Sequence, residues 1–393
     1  MSRRDPVDVA VVGAGIVGSA TALALAAEGL RVALVESQAP PAWRADQADL
    51  RVVAVAGDSQ ALLQRLGAWP DPATMRVQAI RRMRVWDAAG GDELCFDADA
   101  LGRPCLGHIV ENGLLADRLW AAVKLHPAIE LRCPVQLQGL QQSADGVELG
   151  LSDGSRLRAR LLVGADGASS RVRELAGVKA GEHDYGQHGL VAYVSTSKPH
   201  EDTCWQRFLP GGPLAFLPCA DGRSSIVWTL ADAEADRLLQ VDETQFRDEL
   251  TRALDARLGE VTGVSIRRAF PLRRRLAEGM LHEKVALLGD AAHVVHPLAG
   301  QGMNLGLRDV IALAELIRDA RASGRDWLAP HRLSRWARAR GSENAMAAYA
   351  FEAINAVFSN DSVLPTLLRG QLLGVAGKLP PLSQLLWQRA SGA

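Results

Sequence analysis

The chain's richest set of chemically useful residues is the run GDAAHVVHPLAGQGMN at positions 289–304. It follows an apolar stretch at 285–288 and leads into a helical pattern, so it predicts a buried strand, an acidic turn, a loop and a helix start. The Asp290 carboxylate can accept hydrogen bonds from sugar hydroxyls. The Gly-Gln-Gly loop at 300–302 lets backbone N–H groups approach a ligand, because glycine has no Cβ. The helix start at 303–304 adds free N–H donors and a partial positive charge, which together predict a site for a polyhydroxylated cofactor.

A second informative run is GAGIVG at 13–18, between an apolar strand pattern at 7–12 and a helical pattern rich in alanine and leucine. The next strand pattern, at 31–35, ends at Glu36. This is the βαβ dinucleotide fingerprint in the context that it requires. Its glycines allow, in order, a tight turn, the close approach of a pyrophosphate and the packing of the helix on the sheet. The acid is placed to accept hydrogen bonds from an adenosine ribose.

A third run, LVGADGASSRVR at 162–173, lies between the other two, and it also ends an apolar strand pattern with small residues, an acid and a glycine. An Asp-Gly turn such as Asp166-Gly167 is common at strand ends for structural reasons alone. Its combination with Ser170 and Arg173 at these offsets is more specific and indicates a functional loop. The three runs are predicted to meet around one cofactor.

The patterns between these runs predict the elements that must position them. Residues 84–86 and 93–96 are expected to form strands, and alternating apolar and polar residues at 129–164 indicate a β-meander. Residues 185–275 are typical of strands of a second sheet, followed by a helix near 243–258. From near residue 327 the pattern is helical. The chain therefore predicts an α/β fold with a Rossmann-like domain, an inserted β-sheet substrate domain and a helical C-terminal region. The predicted boundaries are 1–180 and 279–325 for the two parts of the Rossmann-like domain, 181–278 for the β-sheet domain and 326–393 for the C-terminal region.

The composition argues against several classes of protein. The 393 residues are 23% charged with a formal net charge of −1, which argues against nucleic-acid binding. The cluster Arg273-Arg274-Arg275 is expected to be solvated surface or an anion contact. The five cysteines form no C-x-x-C pair, so neither a zinc site nor a disulfide framework is predicted. No apolar run approaches the roughly 18–20 residues that span a bilayer, and charged residues interrupt the start of the chain, so we expect a cytoplasmic protein.

Two histidines, His293 and His296, have an H-x-x-H spacing that suits one helical face imperfectly, and no further ligand set lies near them in the sequence. No metal site is predicted. His293 is expected to be structural, and His296 is the candidate for a polar role in the active site. Trp205, Phe208, Phe216 and Trp228 lie on the predicted second sheet, where aromatic side chains usually belong to the core. The alternative is that some of them line an apolar pocket.

In chain order, the three runs resemble the motifs of the single-component flavoprotein aromatic hydroxylases. Longer segments resemble the ubiquinone-biosynthesis hydroxylases, which hydroxylate the ring of a polyprenylated phenol or quinol, and the resemblance spans nearly the whole chain. The segments LGHIVEN and SIVWTL, with His296 before Pro297, are most similar to the enzymes that act at ring carbon C5, and the C6 hydroxylases are close relatives. The segments that carry the resemblance are 49–69, 106–112, 205–218, 225–230 and 289–309.

The resemblance implies FAD as the cofactor, NADPH or NADH as the electron donor and O2 as the oxygen source. Arg51 would contact the FAD pyrophosphate region, Asn112 would lie beside the flavin, and Pro297 with the loop at 300–302 would face the isoalloxazine ring. His296 and Pro297 are the implied catalytic residues. The implied cofactor-binding residues are Gly13, Gly15, Gly18, Glu36, Arg51, Asn112, Asp166, Asp290, Gly300, Gln301, Gly302, Met303 and Asn304.

The nicotinamide donor is expected to bind transiently in the cleft, because the chain has no second G-x-G-x-x-G. In the family the Asp-Gly run bridges the FAD and nicotinamide sites. Leu161 and Ser169 stand where that motif often has charged residues, which weakens any inference about nicotinamide preference.

Several alternatives stay open. They are hydroxylation at C6, a hydroxylase of a small soluble phenol, and a non-catalytic flavin-binding assembly subunit. A halogenase is disfavoured because no W-x-W-x-I stretch occurs. The leucine-rich tail at 364–387 predicts packing against the domain or against a sister subunit of a homo-oligomer. Its alternative is a peripheral contact with the inner membrane or with a ubiquinone-biosynthesis complex, which would suit a lipid-like substrate.

Overall fold

The computed structural model of the protein describes residues 6–295 and 301–358. Over these residues the chain has the mixed α/β fold that the sequence predicts. The helices are α1 (Ile16–Ala27), α2 (Gly57–Arg65), α3 (Asn112–Leu125), α4 (Arg171–Leu175), α5 (Asp232–Gln240), α6 (Glu243–Ala253), α7 (Gln301–Ala322) and α8 (Pro330–Phe358), with a short 3-10 turn at Gly289–Ala291. The strands are β1 (Val7–Val12), β2 (Val32–Val35), β3 (Val52–Val55), β4 (Val77–Ile80), β5 (Arg82–Asp87), β6 (Leu94–Asp97), β7 (Gly107–Glu111), β8 (Ile129–Arg132), β9 (Leu137–Ser143), β10 (Gly146–Leu151), β11 (Arg156–Gly164), β12 (Ala180–Thr196), β13 (Thr203–Leu209), β14 (Gly212–Pro218), β15 (Ser224–Ala231), β16 (Val261–Val264), β17 (Arg268–Ala277), β18 (Leu281–His282), β19 (Val285–Leu287) and β20 (His293–Val294).

The first sheet is parallel at its centre, where β1 lies between β11 and β2. Its strand order is β18-β19-β11-β1-β2-β8, and β10 and β9 extend it in antiparallel fashion from the long strand β11. The apolar runs of β1 and β2 are almost fully buried, as expected for parallel strands that are covered on both faces. Val12 pairs with both Val35 and Gly164. The carboxyl ends of β1, β2 and β11 therefore meet at one edge of the sheet.

The second sheet is mostly antiparallel, with the strand order β20-β17-β12-β15-β14-β13-β5-β6 and β16 paired to β12. Helices α5 and α6 cover one of its faces. There the aromatic side chains Phe216 and Trp228 pack with Leu238 of α5 and Phe246 of α6 in one buried cluster. Burial of this aromatic face is what holds the two helices against the sheet.

The third sheet is small and has the strand order β3-β7-β4. Ile80 and Ile109 of this sheet belong to the same buried cluster as Tyr193 and Cys204 of the second sheet. Strand β3 also contacts α7. The third sheet therefore connects the second sheet to the helix that follows the Gly-Asp run.

Four elements differ in extent, presence or pairing from what the sequence predicts. The predicted helix from 243 to 258 ends at Ala253, because Asp255 and Ala256 adopt left-handed conformations with φ of 61° and 49° and turn the chain out of the helix. Helix α5 was not predicted. Strands β5 and β6, at 82–97, pair with the second sheet although they precede most of it in the chain.

The arginine cluster at 273–275 lies on β17 and forms ion pairs. Each of the three guanidinium groups pairs with a neighbouring carboxylate of β12 or α8, so an anion contact is not needed to explain the cluster. The pairs are Arg273–Asp184 at 3.0 Å, Arg274–Glu352 at 3.0 Å and Arg275–Glu182 at 2.9 Å. Within the described ranges, no helix is both long enough and apolar enough to cross a bilayer.

Candidate active site

The three runs meet at the carboxyl edge of the first sheet. Gly13, at the end of β1, has a φ of +99°, and a Cβ there would lie 2.5 Å from the carbonyl oxygen of Ala165. A Cβ on Gly18 would lie 1.9 Å from the carbonyl oxygen of Gly13. Gly289 packs against Val17 of α1, where an added Cβ would be 3.1 Å from a methyl group. The convergence that the sequence predicts is therefore present, and the closest approaches need glycine.

A cavity opens where the runs at 13–18 and 162–173 meet. Its volume is about 590 Å³, and Gly13, Gly15, Glu36, Asp166 and Gly167 are among the residues that line it. These residues come from the ends of β1, β2 and β11. The cavity therefore lies outside the carboxyl ends of parallel strands, which is the usual place for a nucleotide in an open α/β sheet.

The N-terminus of α1 faces open space in this region. Gly15 is its N-cap, with φ of −65° and ψ of −175°, and no side chain caps the helix. A Cβ added to Gly15 would meet nothing within 4 Å. The first N–H groups of α1 have no intrahelical partner, and the helix dipole adds partial positive charge to them. This end of the helix can therefore bind an anionic group such as a pyrophosphate.

Glu36 is fixed at the opposite side of the same loop. Its Oε2 accepts a hydrogen bond from the Ala14 N–H at 2.6 Å, and its Oε1 accepts from the Ser37 hydroxyl at 2.8 Å and from the Gln38 N–H at 3.0 Å. A carboxylate has about four acceptor positions. One remains for a ligand hydroxyl, and the carboxylate is already oriented beside the helix N-terminus.

The Asp-Gly run is organised by its acid. Asp166 accepts hydrogen bonds from the Ser170 hydroxyl at 2.5 Å and from the Val172 N–H at 3.0 Å. Ser170 in turn caps α4, because its Oγ accepts from the Arg173 N–H at 2.9 Å. The Arg173 guanidinium donates to the carbonyl oxygen of Ala291 at 2.8 Å. The offsets of Ser170 and Arg173 thus build a short capped helix that is tied to the Gly-Asp run.

The Gly-Asp run forms the 3-10 turn Gly289–Ala291, which we call the GD turn. Gly289 has a φ of +58°. The Asp290 side chain is exposed, although other protein atoms lie close around it. Burial raises the pKa of Asp290, and the positive charges of His293 and Arg51 offset part of that rise. Arg51 therefore lies within electrostatic reach of the GD turn.

Arg51 and Asn112 are neighbours at the edge of the third sheet. The Asn112 N–H, at the first residue of α3, donates to the carbonyl oxygen of Arg51 at 2.9 Å. The guanidinium carbon of Arg51 lies 5.9 Å from the ring centroid of Phe270 on β17. Arg51 thus spans the gap between the third sheet and the second sheet.

The start of α7 is held to β3 by Asn304. The amide of this buried residue accepts from the Ala56 N–H at 3.0 Å and donates to the carbonyl oxygen of Ala54 at 2.7 Å. Met303 packs beside the core of the first sheet, and Gly302 lies near Val295. The amide of Asn304 is hydrogen-bonded to the backbone at the end of β3. The groups that the start of α7 can offer a ligand are therefore its backbone N–H groups.

Some predicted site residues fall outside the residues that the structure describes. These are His296, Pro297 and Gly300, and the side chain of Gln301 is likewise not described. Within residues 6–295 and 301–358, no group of three His, Cys, Asp or Glu side chains is arranged to hold a metal ion. His293 instead contacts Asp309 of α7, with 2.6 Å between Nε2 and Oδ2.

The face of the second sheet opposite α5 and α6 carries aliphatic side chains. Side chains alternate between faces along a strand, so the paired residues Val191, Val227 and Ala215 lie on the face opposite Trp228 and Phe216. These three are half-buried, and we call them the aliphatic row. The prediction that the aromatic residues belong to the core is confirmed, because Trp205, Phe216 and Trp228 are all under 10% exposed.

The aliphatic row lies on the same face of the second sheet as residues of β17 that pack near the Gly-Asp run. Gly189 pairs with Phe270, so both lie on the row's face of the sheet. Leu276, six residues along β17, shares that face and packs with Val295 and Leu305. This half-buried apolar surface therefore lies toward the start of α7 and can take an apolar ligand.

Asp309 is a buried charged residue that the sequence motifs did not indicate. It is fully buried on α7 and takes part in four hydrogen bonds. A signal was present, because Asp309 falls at helical spacing between the buried residues Leu305 and Leu313. A charged residue on the apolar side of a predicted helix needs buried partners.

Comparison with known proteins defines the class. A family model described as "FAD binding domain" matches residues 6–329. The fold is shared with p-nitrophenol 4-monooxygenase PnpA of Pseudomonas putida, at a TM-score of 0.75 and 19% identity over 99% of each chain. The chain is an FAD-dependent monooxygenase of the aromatic hydroxylase type.

Its relatives define a narrower group. The chain is 39% identical to the 3-demethoxyubiquinol 3-hydroxylase of Escherichia coli over 94% of each protein. It is 38% identical to the ubiquinone hydroxylase UbiL of Rhodospirillum rubrum, over 98% of this chain and 89% of that protein. The chain belongs to the family of FAD-dependent ubiquinone-biosynthesis hydroxylases.

Proposed function

We propose that this protein hydroxylates the aromatic ring of a polyprenylated phenol in ubiquinone biosynthesis, with NADPH or NADH as electron donor and O2 as oxygen source. The observation that carries the proposal is the 39% identity to the E. coli 3-demethoxyubiquinol 3-hydroxylase over 94% of both chains. The apolar surface around the aliphatic row adds support, because a prenylated ring needs an apolar site.

The first sheet supplies the groups that we propose for FAD. Gly13 and Gly18 would let the fingerprint loop pack closely, Gly15 and the N-terminus of α1 would bind the pyrophosphate, and Glu36 would bind the adenosine ribose. The cavity that these residues line fits this part of the cofactor, because it combines free N–H groups with an oriented carboxylate. When bound, FAD supplies the redox chemistry that activates O2 for transfer of one oxygen atom to an electron-rich ring.

The GD turn and the third sheet supply the groups that we propose for the rest of the cofactor. Asp290 would accept hydrogen bonds from the ribityl hydroxyls, and Arg51 would neutralise pyrophosphate charge from its position near the turn. Asn112 would lie beside the flavin. Asp166 would act mainly by organising the loop that it caps, because two donors already engage it.

The helix start contributes further proposed contacts. Backbone N–H groups at Gly302, Met303 and Asn304 would face the flavin ring, with the loop residues Gly300 and Gln301. His296 and Pro297 remain our candidates for catalysis, His296 as a polar group toward the phenol and Pro297 against the ring system.

The two large sheets suggest a division of labour. We propose that residues 1–180 and 279–325 bind FAD, that 181–278 bind substrate, and that 326–393 form a helical C-terminal region. Exclusion of water is the main task that we propose for the apolar surface, because water in the site would release the activated oxygen as hydrogen peroxide before it reaches the ring. The aliphatic row would serve this task without polar groups of its own.

Ring position is the finer part of the proposal. The segments at 106–112 and 225–230 favour hydroxylation at C5. We propose hydroxylation at C5. Hydroxylation at C6, the alternative from the sequence, is an outcome that the assay can detect.

The test is an assay with the purified FAD-loaded protein, a polyprenylated phenol, each nicotinamide in turn and O2 labelled with heavy oxygen. We expect one labelled oxygen atom in the ring of the prenylated product, and fragmentation of that product assigns the carbon. A matched reaction with an unprenylated phenol should give little product. Equal turnover of both substrates would indicate a hydroxylase of small phenols, and FAD binding without turnover of either would indicate a non-catalytic subunit.

A variant sharpens the assignment of the substrate face. Val227→Phe enlarges a half-buried side chain of the aliphatic row without adding a polar group. We expect it to raise the KM for the prenylated phenol about fivefold while the FAD dissociation constant stays unchanged. An unchanged KM would place the substrate elsewhere.

The lipid-like substrate also suggests where the protein acts. We propose peripheral contact with an anionic inner-membrane surface or a biosynthetic complex, through the leucine-rich tail at 364–387, which lies outside the described residues. Flotation of the full chain with vesicles of anionic phospholipid, compared with neutral ones, tests this, and the absence of flotation with both would contradict membrane contact.

A further inference from the structure

A buried carboxylate lies directly behind the GD turn. Asp309 of α7 is fully buried. It accepts hydrogen bonds from the Gly289 N–H at 3.1 Å, the Arg340 guanidinium at 2.9 Å and the Asn344 amide at 3.0 Å, and it lies 2.6 Å from His293 Nε2. Four donors from the GD turn, β20 and α8 therefore converge on one side chain.

The partners of Asp309 favour its carboxylate form. Burial alone would raise the pKa of Asp309, but His293, Arg340 and Asn344 together hold it below the usual range of an aspartate. Arg340 also pairs with Glu343, so its positive charge is shared between two carboxylates. The buried Nδ1 of His293 has no hydrogen-bond partner among the described residues.

The network reaches the cofactor site through one peptide group. The Gly289 N–H is the first donor of the GD turn, and the next residue, Asp290, has an exposed side chain. On its other side the turn is held by Arg173, which donates to the carbonyl oxygen of Ala291. The orientation of Asp290 is therefore set from both ends of a three-residue turn, and one of these ends depends on Asp309.

We propose that Asp309 is a positioning residue for FAD, which holds the GD turn so that Asp290 faces the cofactor and which makes FAD affinity depend on Arg340 and Asn344 of α8. The nucleotide motifs do not include α8, so this assigns a cofactor-supporting role to a helix outside them. The proposal depends on FAD binding and not on the identity of the phenol.

The first test is the FAD dissociation constant of Asp309→Asn, measured on the full-length apoprotein by quenching of flavin fluorescence. Asparagine keeps the shape but removes the charge that Arg340 and His293 face. We expect the dissociation constant to rise at least about tenfold. The matched control is Asp58→Asn, which removes the ion pair between Asp58 of α2 and Arg308 of α7 (2.6 Å), a pair that includes none of the four groups bonded to Asp309. Equal effects of the two variants, or none in Asp309→Asn, would overturn the proposal.

A second measurement separates positioning from general stability. If Asp309 acts through Asp290, then Asp309→Asn combined with Asp290→Ala should bind FAD about as weakly as the weaker of the two single variants. If Asp309 only stabilises the fold, the two losses should multiply, and the proposal would be wrong.

Milder variants keep the test informative if Asp309→Asn fails to fold. Asn344→Leu removes one donor to Asp309 while preserving volume, and we expect it to raise the FAD dissociation constant about threefold. His293→Gln keeps a donor near the Nε2 position and should retain most of the affinity that His293→Ala loses. Equal affinity in all three variants and the unmodified protein would refute the role of the network, whatever the outcome of the hydroxylation assay.

Discussion

The first and second sheets carry their chemistry in different ways. At the carboxyl edge of the first sheet, the groups available to a ligand are mostly backbone N–H groups. The residues that matter there are glycines and one acid at strand ends. In the second sheet, the available groups are side chains that alternate between faces. Trp228 is buried under two helices while its neighbour Val227 is half-buried on the other face. A site made of backbone groups can be recognised from a short local motif. Which residues form one face of a sheet depends on the pairing of strands that are distant in the sequence.

The largest expected effect lies on the covered face of the second sheet. Trp228→Ala removes a large buried side chain from the cluster with α5 and α6, so we expect the apoprotein to lose about 3–5 kcal/mol of unfolding free energy. Urea unfolding followed by circular dichroism measures this. FAD affinity of the folded fraction should not change, and a stable variant with an altered substrate KM would place Trp228 on the substrate face instead.

Next comes a pair of glycines that separates binding from packing in the first sheet. Gly15→Leu should leave the fold intact, because its backbone is in an ordinary extended region and an added Cβ meets nothing within 4 Å. The leucine should nevertheless fill the pyrophosphate position and weaken FAD binding about 100-fold. The measurement is FAD titration of the apoprotein together with its melting temperature.

Gly18→Ala is the control for that pair. Its Cβ would lie 1.9 Å from the carbonyl oxygen of Gly13, so it should destabilise the apoprotein by about 1–3 kcal/mol. If Gly15→Leu instead unfolded the protein and kept its FAD affinity, the proposed pyrophosphate site would be wrong.

A smaller effect is expected at the GD turn. Asp290→Ala removes one hydroxyl acceptor while the turn remains held by Arg173 and Asp309. We expect the FAD dissociation constant to rise about tenfold, which is the scale of one lost hydrogen bond to a charged group. Purified variant protein with undiminished flavin absorbance would contradict a role for Asp290.

The smallest expected effect is the pH dependence of the same residue. Burial raises the pKa of Asp290, so its carboxylate form, which is the hydroxyl acceptor, is lost at a higher pH than in an ordinary aspartate. FAD affinity should therefore fall as the pH decreases through that raised value, and the fall should be absent in Asp290→Ala. In the apoprotein the sign is opposite, because a raised pKa favours folding below the unfolded pKa and this contribution is lost as the pH rises. Identical pH profiles of FAD affinity for the unmodified protein and for Asp290→Ala would show that the protonation of Asp290 does not affect FAD binding.

The sequence predicted the parts of the site that depend on local geometry. The close approaches at Gly13 and Gly18 follow from a motif of six residues, and Glu36 follows from its place at the end of the next strand. The carboxyl ends of β1, β11 and β19, which the three runs follow, meet because parallel strands share a direction, so three separate runs could be predicted to converge.

Other features depend on partners that are distant in the sequence. Asp309 accepts hydrogen bonds from α8 and from the GD turn, and no local sequence pattern predicts those partners. The cluster at 273–275 could not be distinguished from free surface charge until β12 and α8 were placed beside β17. Likewise, the alternation of residues on β15 was visible, but only the position of α5 and α6 shows which face is covered.

The central claim is that three separated runs of the chain bind a single FAD, and a titration of the purified apoprotein with FAD tests it most directly. We predict saturation at about one equivalent of FAD per chain with a flavin absorbance band that survives gel filtration, and loss of that band in Gly15→Leu. A protein that stays colourless after incubation with FAD, or one that retains the band in Gly15→Leu, would contradict the claim.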